Sequence, residues 1–325
     1  MKIFNRIIIY LLVIIAAINI FFVFFPFKTA GKAVFIKPHS NAIQVVDVLK
    51  ETGTIKSRWH FLVMGQIFKA FNSIRAGEYE FSARVSTWTV LQKLARGEIA
   101  ICKITIPEGW TAQDIADLLS REKLVDPKIF LMLVNDSNYV IDDFKFPKNL
   151  EGYLFPDTYY FTKGTSTENS IIGQMLSQFK KKVIDGLGKD IKGSNHSLGK
   201  IITMASIVEK EAIVNVERPI IAGVFYKRLR MGMPLQSDPT ARYAISKYAG
   251  ALTMQDLRTR SPFNTYLYAG LPPHAICNPG IPSIQAALHP QDDGYLYFVS
   301  KNDGTHFFSR KYEDHRKAKR KYQGT

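Results

Sequence analysis

From Ile7 to Phe27 the chain carries no charged residue, and Ile, Leu, Val and Phe dominate the run. A helix needs about 20 apolar residues to cross a bilayer, where it satisfies its own backbone polar groups. The run has no polar face, so it predicts a transmembrane helix rather than a core helix of a water-soluble domain. Lys2 and Arg6 precede it, and Lys28 and Lys32 follow. The short basic tail favours residues 1–6 in the cytoplasm and everything after Phe27 outside. A cleaved signal peptide is the competing reading. Its apolar part is ordinarily shorter, and Thr29-Ala30-Gly31-Lys32-Ala33 is a poor small-x-small cleavage site.

The rest of the chain has the composition of an ordered protein. Of its 325 residues, 46% are hydrophobic and 22% charged, and the length suits about two domains. The formal charge of +15 draws such a chain to anionic polymers or lipid headgroups. The densest basic cluster, Arg310 to Lys321, reads as a solvated C-terminal helix. No zinc-ligand spacing, phosphate loop or aromatic RNA-binding signature accompanies it, so no nucleic-acid partner is expected. His289, His306 and His315 lack metal-like spacing and read as structural or hydrogen-bonding residues; neither metal nor cofactor is expected. Cys102 and Cys277 either pair in an oxidising compartment or are two buried thiols.

After the apolar run an internal repeat appears. Val34-Phe35-Ile36-Lys37-Pro38-His39 leads into a helix at Ala42–Leu49, then Gly53-Thr54-Ile55 and a second helix around Trp59–Phe68. Further on, Ile104-Thr105-Ile106-Pro107-Glu108-Gly109 leads into Ala112–Leu119, then a helix around Ile129–Val134. Apolar residues at three- and four-residue spacing, such as Val45, Val48, Leu49 and Ile115, Leu118, Leu119, mark the amphipathic helices. Between the copies lie a strand at Ala76–Phe81 and a helix at Trp88–Leu94 stopped by Gly97. Small strand-helix-helix-strand units of this kind resemble the LysM module, which binds N-acetylglucosamine-containing glycans. A plain spacer is the alternative.

The chemistry concentrates further along. Met204-Ala205-Ser206-Ile207-Val208-Glu209-Lys210-Glu211 places two carboxylates inside an apolar helical run, where an unpaired charge is costly. Glu209 and Glu211 point about 200° apart at about 3.6 residues per turn, so both cannot face one cleft. Periodicity does not choose between them, and pairing with Lys210 or Arg218 on the surface is open to each. Gln236, Ser237, Asp238, Asn264 and Tyr266 fall in Pro- and Gly-rich loops, where ligand contacts concentrate. Tyr295–Val299 and Thr305–Phe308 flank Asn302-Asp303-Gly304 as a β-hairpin.

Taken together, these strings resemble the endolytic murein transglycosylase family of bacteria, the membrane-anchored YceG-like proteins. The likeness runs through Glu151–Tyr159, Met204–Glu211, Glu217-Arg218, Val224–Leu229 and Leu235–Thr240. It continues through Asn264-Thr265-Tyr266, Gly270–Pro273, Asn278-Pro279-Gly280, Ala286–Pro290, Tyr295–Val299 and Gly304–Phe307. The first repeat copy matches more loosely, with Lys37-Pro38-His39 where Pro107-Glu108-Gly109 stands in the second. The resemblance implies an α+β protein: tail 1–6, transmembrane anchor 7–27, LysM-like region 28–140 with two related units, catalytic domain 141–325. It implies a single-pass protein of the inner membrane with its catalytic domain on the extracytoplasmic side.

The implied reaction is lytic cleavage of the β-1,4 bond between N-acetylmuramic acid and N-acetylglucosamine inside nascent peptidoglycan strands. The product is a 1,6-anhydro-muramyl end, which terminates elongation, and penicillin-binding synthases are the implied partners. Glu209 is the implied acid/base. Gln236, Ser237, Asp238, Asn264 and Tyr266 are our substrate-binding candidates, with Gln236, Ser237 and Asn264 orienting the sugar or stabilising an oxocarbenium-like state. Ordinary glycosidases need two carboxylates, but a lytic enzyme needs no water because the muramyl 6-hydroxyl attacks. One glutamate then suffices, and apolar neighbours are expected to keep Glu209 protonated before reaction. A non-catalytic glycan-binding scaffold and a hydrolase leaving reducing ends are the rival readings.

Overall fold

A computed structural model describes residues 2–29 and 31–324. The chain divides into two compact units, Met1–Lys103 with Tyr160–Ser166, and Ile104–Tyr159 with Thr167–Thr325. The fold class is α+β, as expected.

The first unit begins with helix α1 (Lys2–Phe24) and short strand β1 (Phe27–Lys28), then runs β2 (Ala33–Ile36), α2 (Ala42–Glu51), α3 (Arg58–Ile67), β3 (Gly77–Glu80), β4 (Arg84–Val85) and α4 (Thr87–Arg96). β2 and β3 pair antiparallel, Val34 opposite Tyr79, so the first repeat copy is a strand-helix-helix-strand unit. Asn41 closes the start of α2 in a reciprocal capping box with Gln44, and Gly97 ends α4 in a left-handed conformation. Val34, Val45, Leu49, Phe61, Tyr79 and Leu94 fill its core.

Among the described residues no helix is long and apolar enough to cross a membrane. The expected span, Ile7–Phe27, includes positions 12 and 15–20, whose side chains lie outside the described residues. Elsewhere on α1, Ile7, Ile9, Leu11, Ile14 and Phe22 are exposed.

The second unit carries the other repeat copy and everything that follows. Strand β5 (Ile101–Thr105) precedes α5 (Ala112–Arg121), α6 (Pro127–Asn135), the small ladder of β6 (Val140–Ile141) and β7 (Phe144–Lys145), and β8 (Thr158–Thr162), which pairs with β5. Thr111 and Asp114 cap α5 reciprocally, and Asp126 with Pro127 at the first turn starts α6. Then come α7 (Glu168–Phe179), α8 (Gly188–Gly193), α9 (Leu198–Glu211), α10 (Arg218–Arg230), α11 (Asp238–Ala244), α12 (Ile281–Leu288), β9 (Tyr297–Ser300), β10 (His306–Ser309) and α13 (Tyr312–Gln323).

α9 is the buried axis of this unit. Ile201, Ile202, Met204, Ala205, Ser206, Ile207 and Val208 are all fully buried, a helix apolar all round because neighbours cover every side. α10, α11 and α12 pack against it. The hairpin expected near the C-terminus is present as β9–β10, with Val299 opposite Phe307. The basic cluster is the exposed helix α13.

Candidate active site

Glu209 and Glu211 lie in the last turn of α9. Negative charge there opposes the helix dipole, whose C-terminal end is itself negative, so each carboxylate needs a partner from another element. They find different ones. Glu209, with its side chain 6% exposed, ion-pairs with Arg218 at 3.2 Å and accepts the Gly280 N–H at 3.0 Å. Gly280 caps the start of α12, whose positive dipole end therefore faces Glu209. Arg218 also donates to Ser283 Oγ at 2.6 Å and Asn215 Oδ1 at 3.0 Å, the extra bonds a buried ion pair requires. The apolar neighbours expected around the Glu209 carboxylate are thus replaced by an arginine, a backbone N–H and the nearby Glu108.

Glu211 is satisfied by Ser237, whose hydroxyl donates to it at 2.5 Å. Burial pushes the Glu211 carboxyl up to about 7; the Ser237 hydrogen bond opposes this and the charge of Asp238 adds to it. Tyr266 donates to Asp238 at 2.5 Å. Ser237, Asp238 and Tyr266 therefore gather around Glu211 rather than Glu209. Gln236 is exposed and held at φ +52°, in the left-handed region that a residue with a Cβ rarely adopts. Asn264 is fully buried. Its amide donates to Leu257 O and Thr259 O, and its oxygen accepts from Tyr266 N, so it organises the loop from within.

The loop Pro107–Trp110 is the part that sequence reasoning did not connect to Glu209. Asn278 clamps it: Gly109 N donates to Asn278 O at 2.9 Å, and Asn278 N donates to Trp110 O at 2.8 Å. The same asparagine accepts from Gly152 N and Leu154 N, both at 2.9 Å, and donates to Glu151. Glu151 in turn accepts the Ala112 N–H, one of the orphan donors at the start of α5. Its burial pushes it up to about 8. Gly152 stands at φ +93°, and a Cβ there would fall 2.5 Å from Ala275 and 2.8 Å from Ile202.

The clamp brings Glu108 against Gly280: a Cβ on Gly280 would lie 1.9 Å from Glu108 Oε1. Desolvation raises the Glu108 carboxyl, the charge of Glu209 raises it further, and Arg218 lowers it. The only sequence signal for this residue was the Pro-Glu-Gly string of the second repeat copy.

A separate cavity of about 860 Å³ is lined by Tyr153, His196, Tyr226, Pro272 and Pro273 among others, and touches neither Glu209 nor Glu108. His306 bonds the buried Glu217 at 2.7 Å and so plays a structural part. Among the described residues, no group of His, Cys, Asp or Glu is placed to hold a metal ion. Both cysteines are buried; the Cys277 thiol donates to Ser206 O at 3.3 Å, so the two do not form a disulfide.

The chain is similar to known proteins over most of its length. It is 34% identical over 298 residues to the endolytic murein transglycosylase of Bacillus subtilis (strain 168), covering 87% of this chain and 82% of that one. It is 30% identical over 308 residues to the protein of the same name from Streptococcus pneumoniae serotype 2, covering 85% of this chain but 55% of the longer relative. The crystal structure of a YceG-like protein from Listeria monocytogenes superposes with a TM-score of 0.61 at 32% identity, over 88% of this chain and 98% of the other. The YceG-like family model matches residues 34–321, and the chain belongs to that family.

Proposed function

We propose that this protein is an endolytic murein transglycosylase, cleaving the bond between N-acetylmuramic acid and N-acetylglucosamine inside peptidoglycan strands to leave 1,6-anhydro-muramyl ends. The observation that carries this reading is Glu209, fixed at the end of a buried helix by Arg218 and the Gly280 N–H in a chain of the YceG-like family. The bond from C1 to the leaving O4 breaks as the muramyl O6 attacks C1. O4 needs a proton and O6 must lose one, so the reaction consumes no water. Glu209 is the group we assign to this proton exchange. Gln236, exposed on the loop before α11, is the first candidate to meet the sugar; Ser237, Asp238 and Tyr266 support that loop through Glu211.

The protein acts, in this reading, on the extracytoplasmic side of the membrane, tethered by Ile7–Phe27. The uncharged sequence of that run and the exposed Ile7, Ile9, Leu11 and Phe22 of α1 support the tether. The strand-helix-helix-strand copies serve as LysM-like glycan contacts, a role their element order and the +15 charge support. Synthases that polymerise the strands are the partners that an enzyme terminating them would meet. The test is incubation of the detergent-solubilised full chain with purified glycan strands, beside Glu209→Gln, with products read by mass spectrometry. Anhydro ends from the wild type and none from the variant are expected. Strands left uncut but still bound would mean a scaffold.

A further inference from the structure

We propose that Glu108 is a second catalytic carboxylate of this site, the proton donor to the leaving oxygen, with Glu209 receiving the proton of the attacking hydroxyl. This rests on the transglycosylase reading above. Three observations meet at Gly280. Its N–H binds Glu209, the space its missing Cβ would fill is taken by the Glu108 carboxyl, and the loop bearing Glu108 is clamped to the residue two positions before it, Asn278. Glu108 is therefore delivered to Glu209 by a rigid device, yet remains solvent-exposed, as a group that must meet a polymer has to be.

The two carboxylates differ in what addresses them. Arg218 and the Gly280 N–H both donate to Glu209, so it enters as the salt-bridged acceptor. No donor to Glu108 is recorded among the described residues, and the charges around it are Glu209 and Arg218, with Lys210 beside Gly109. Its raised carboxyl retains a proton into a higher pH range than an ordinary glutamate. Two neighbouring carboxyl groups held in different environments divide the acid and base roles.

The step balances without a further reactant. Glu108 gives its proton to O4 as the C1–O4 bond breaks and its electron pair goes to O4. O6 forms the new bond to C1, and its proton passes to Glu209. One proton has moved from Glu108 to Glu209; its return between them or through water resets the site.

The test compares the full-length chain with Glu108→Gln, Gly280→Ala and Glu209→Gln on glycan strands across pH. In the wild type, kcat falls as pH rises through the Glu108 titration, because the donor form is lost. Glu108→Gln should lower kcat by about 100-fold or more, with KM little changed, and abolish that alkaline limb. Gly280→Ala has a backbone that tolerates alanine and displaces only the flexible end of Glu108. It should lower kcat in a folded protein and add almost nothing in the Glu108→Gln background. Glu108→Gln with wild-type kcat, or with reduced kcat and an intact alkaline limb, would overturn the proposal while leaving Glu209 and the reaction standing. Absence of cleavage by the wild type would overturn both.

Discussion

Glu151 shows how a single buried group can set the pH response of this protein. Burial raises its carboxyl from 4.5 to about 8, so the folded chain holds a proton that the unfolded chain has already released. Stability from this residue is complete below about pH 4.5 and is lost as pH climbs towards 8. Glu211, raised to about 7 by burial, adds to the same fall over the lower part of the window. Urea unfolding at pH 5 and pH 8 should show a loss on the order of a few kcal/mol, smaller in Glu151→Gln. An unchanged slope in the variant would contradict this account. Individual roles were only partly legible in the sequence. Arg218 was already one of two cations open to pairing with the glutamates. Asn264 looked like a ligand contact because its loop is rich in proline, but nothing local reveals that its amide is spent on Leu257 and Thr259.

Among the elements, α9 and the loops at its end carry the site. Its helical run, the repeat helices, the hairpin β9–β10 and α13 were readable because periodicity, caps and turn residues act over a few positions. The meeting of Glu108, Glu209 and Gly280 was not, since three distant segments converge there and no pattern in one foretells the others. Asn278 holds that convergence, with both side-chain groups engaged inside a fully buried position. Replacing it by alanine strands Gly152 N, Leu154 N and Trp110 O. Each buried polar group left unpaired costs about 1–3 kcal/mol, so Asn278→Ala should lose at least ~2 kcal/mol and loosen the 107–110 loop. Thermal unfolding and amide exchange at Gly109 would check this; wild-type stability in the variant would refute the clamp.

At the scale of the whole molecule, the N-terminal run and the glutamate site make separate claims. Removing residues 1–27 should move the protein from the membrane to the soluble fraction, read by fractionation, while purified truncated protein still cleaves glycan strands. Retention in the membrane fraction would show that Ile7–Phe27 is not the tether. The +15 charge should also make glycan binding weaken as salt rises, since exposed charges are screened over about 10 Å at 0.1 M salt. The central claim remains the chemistry at Glu209, and mass spectrometry of glycan digests from the wild type and Glu209→Gln tests it most directly. The account predicts 1,6-anhydro-muramyl ends from the wild type and intact strands from the variant. Reducing ends that have gained a water, or undiminished cleavage by Glu209→Gln, would contradict it.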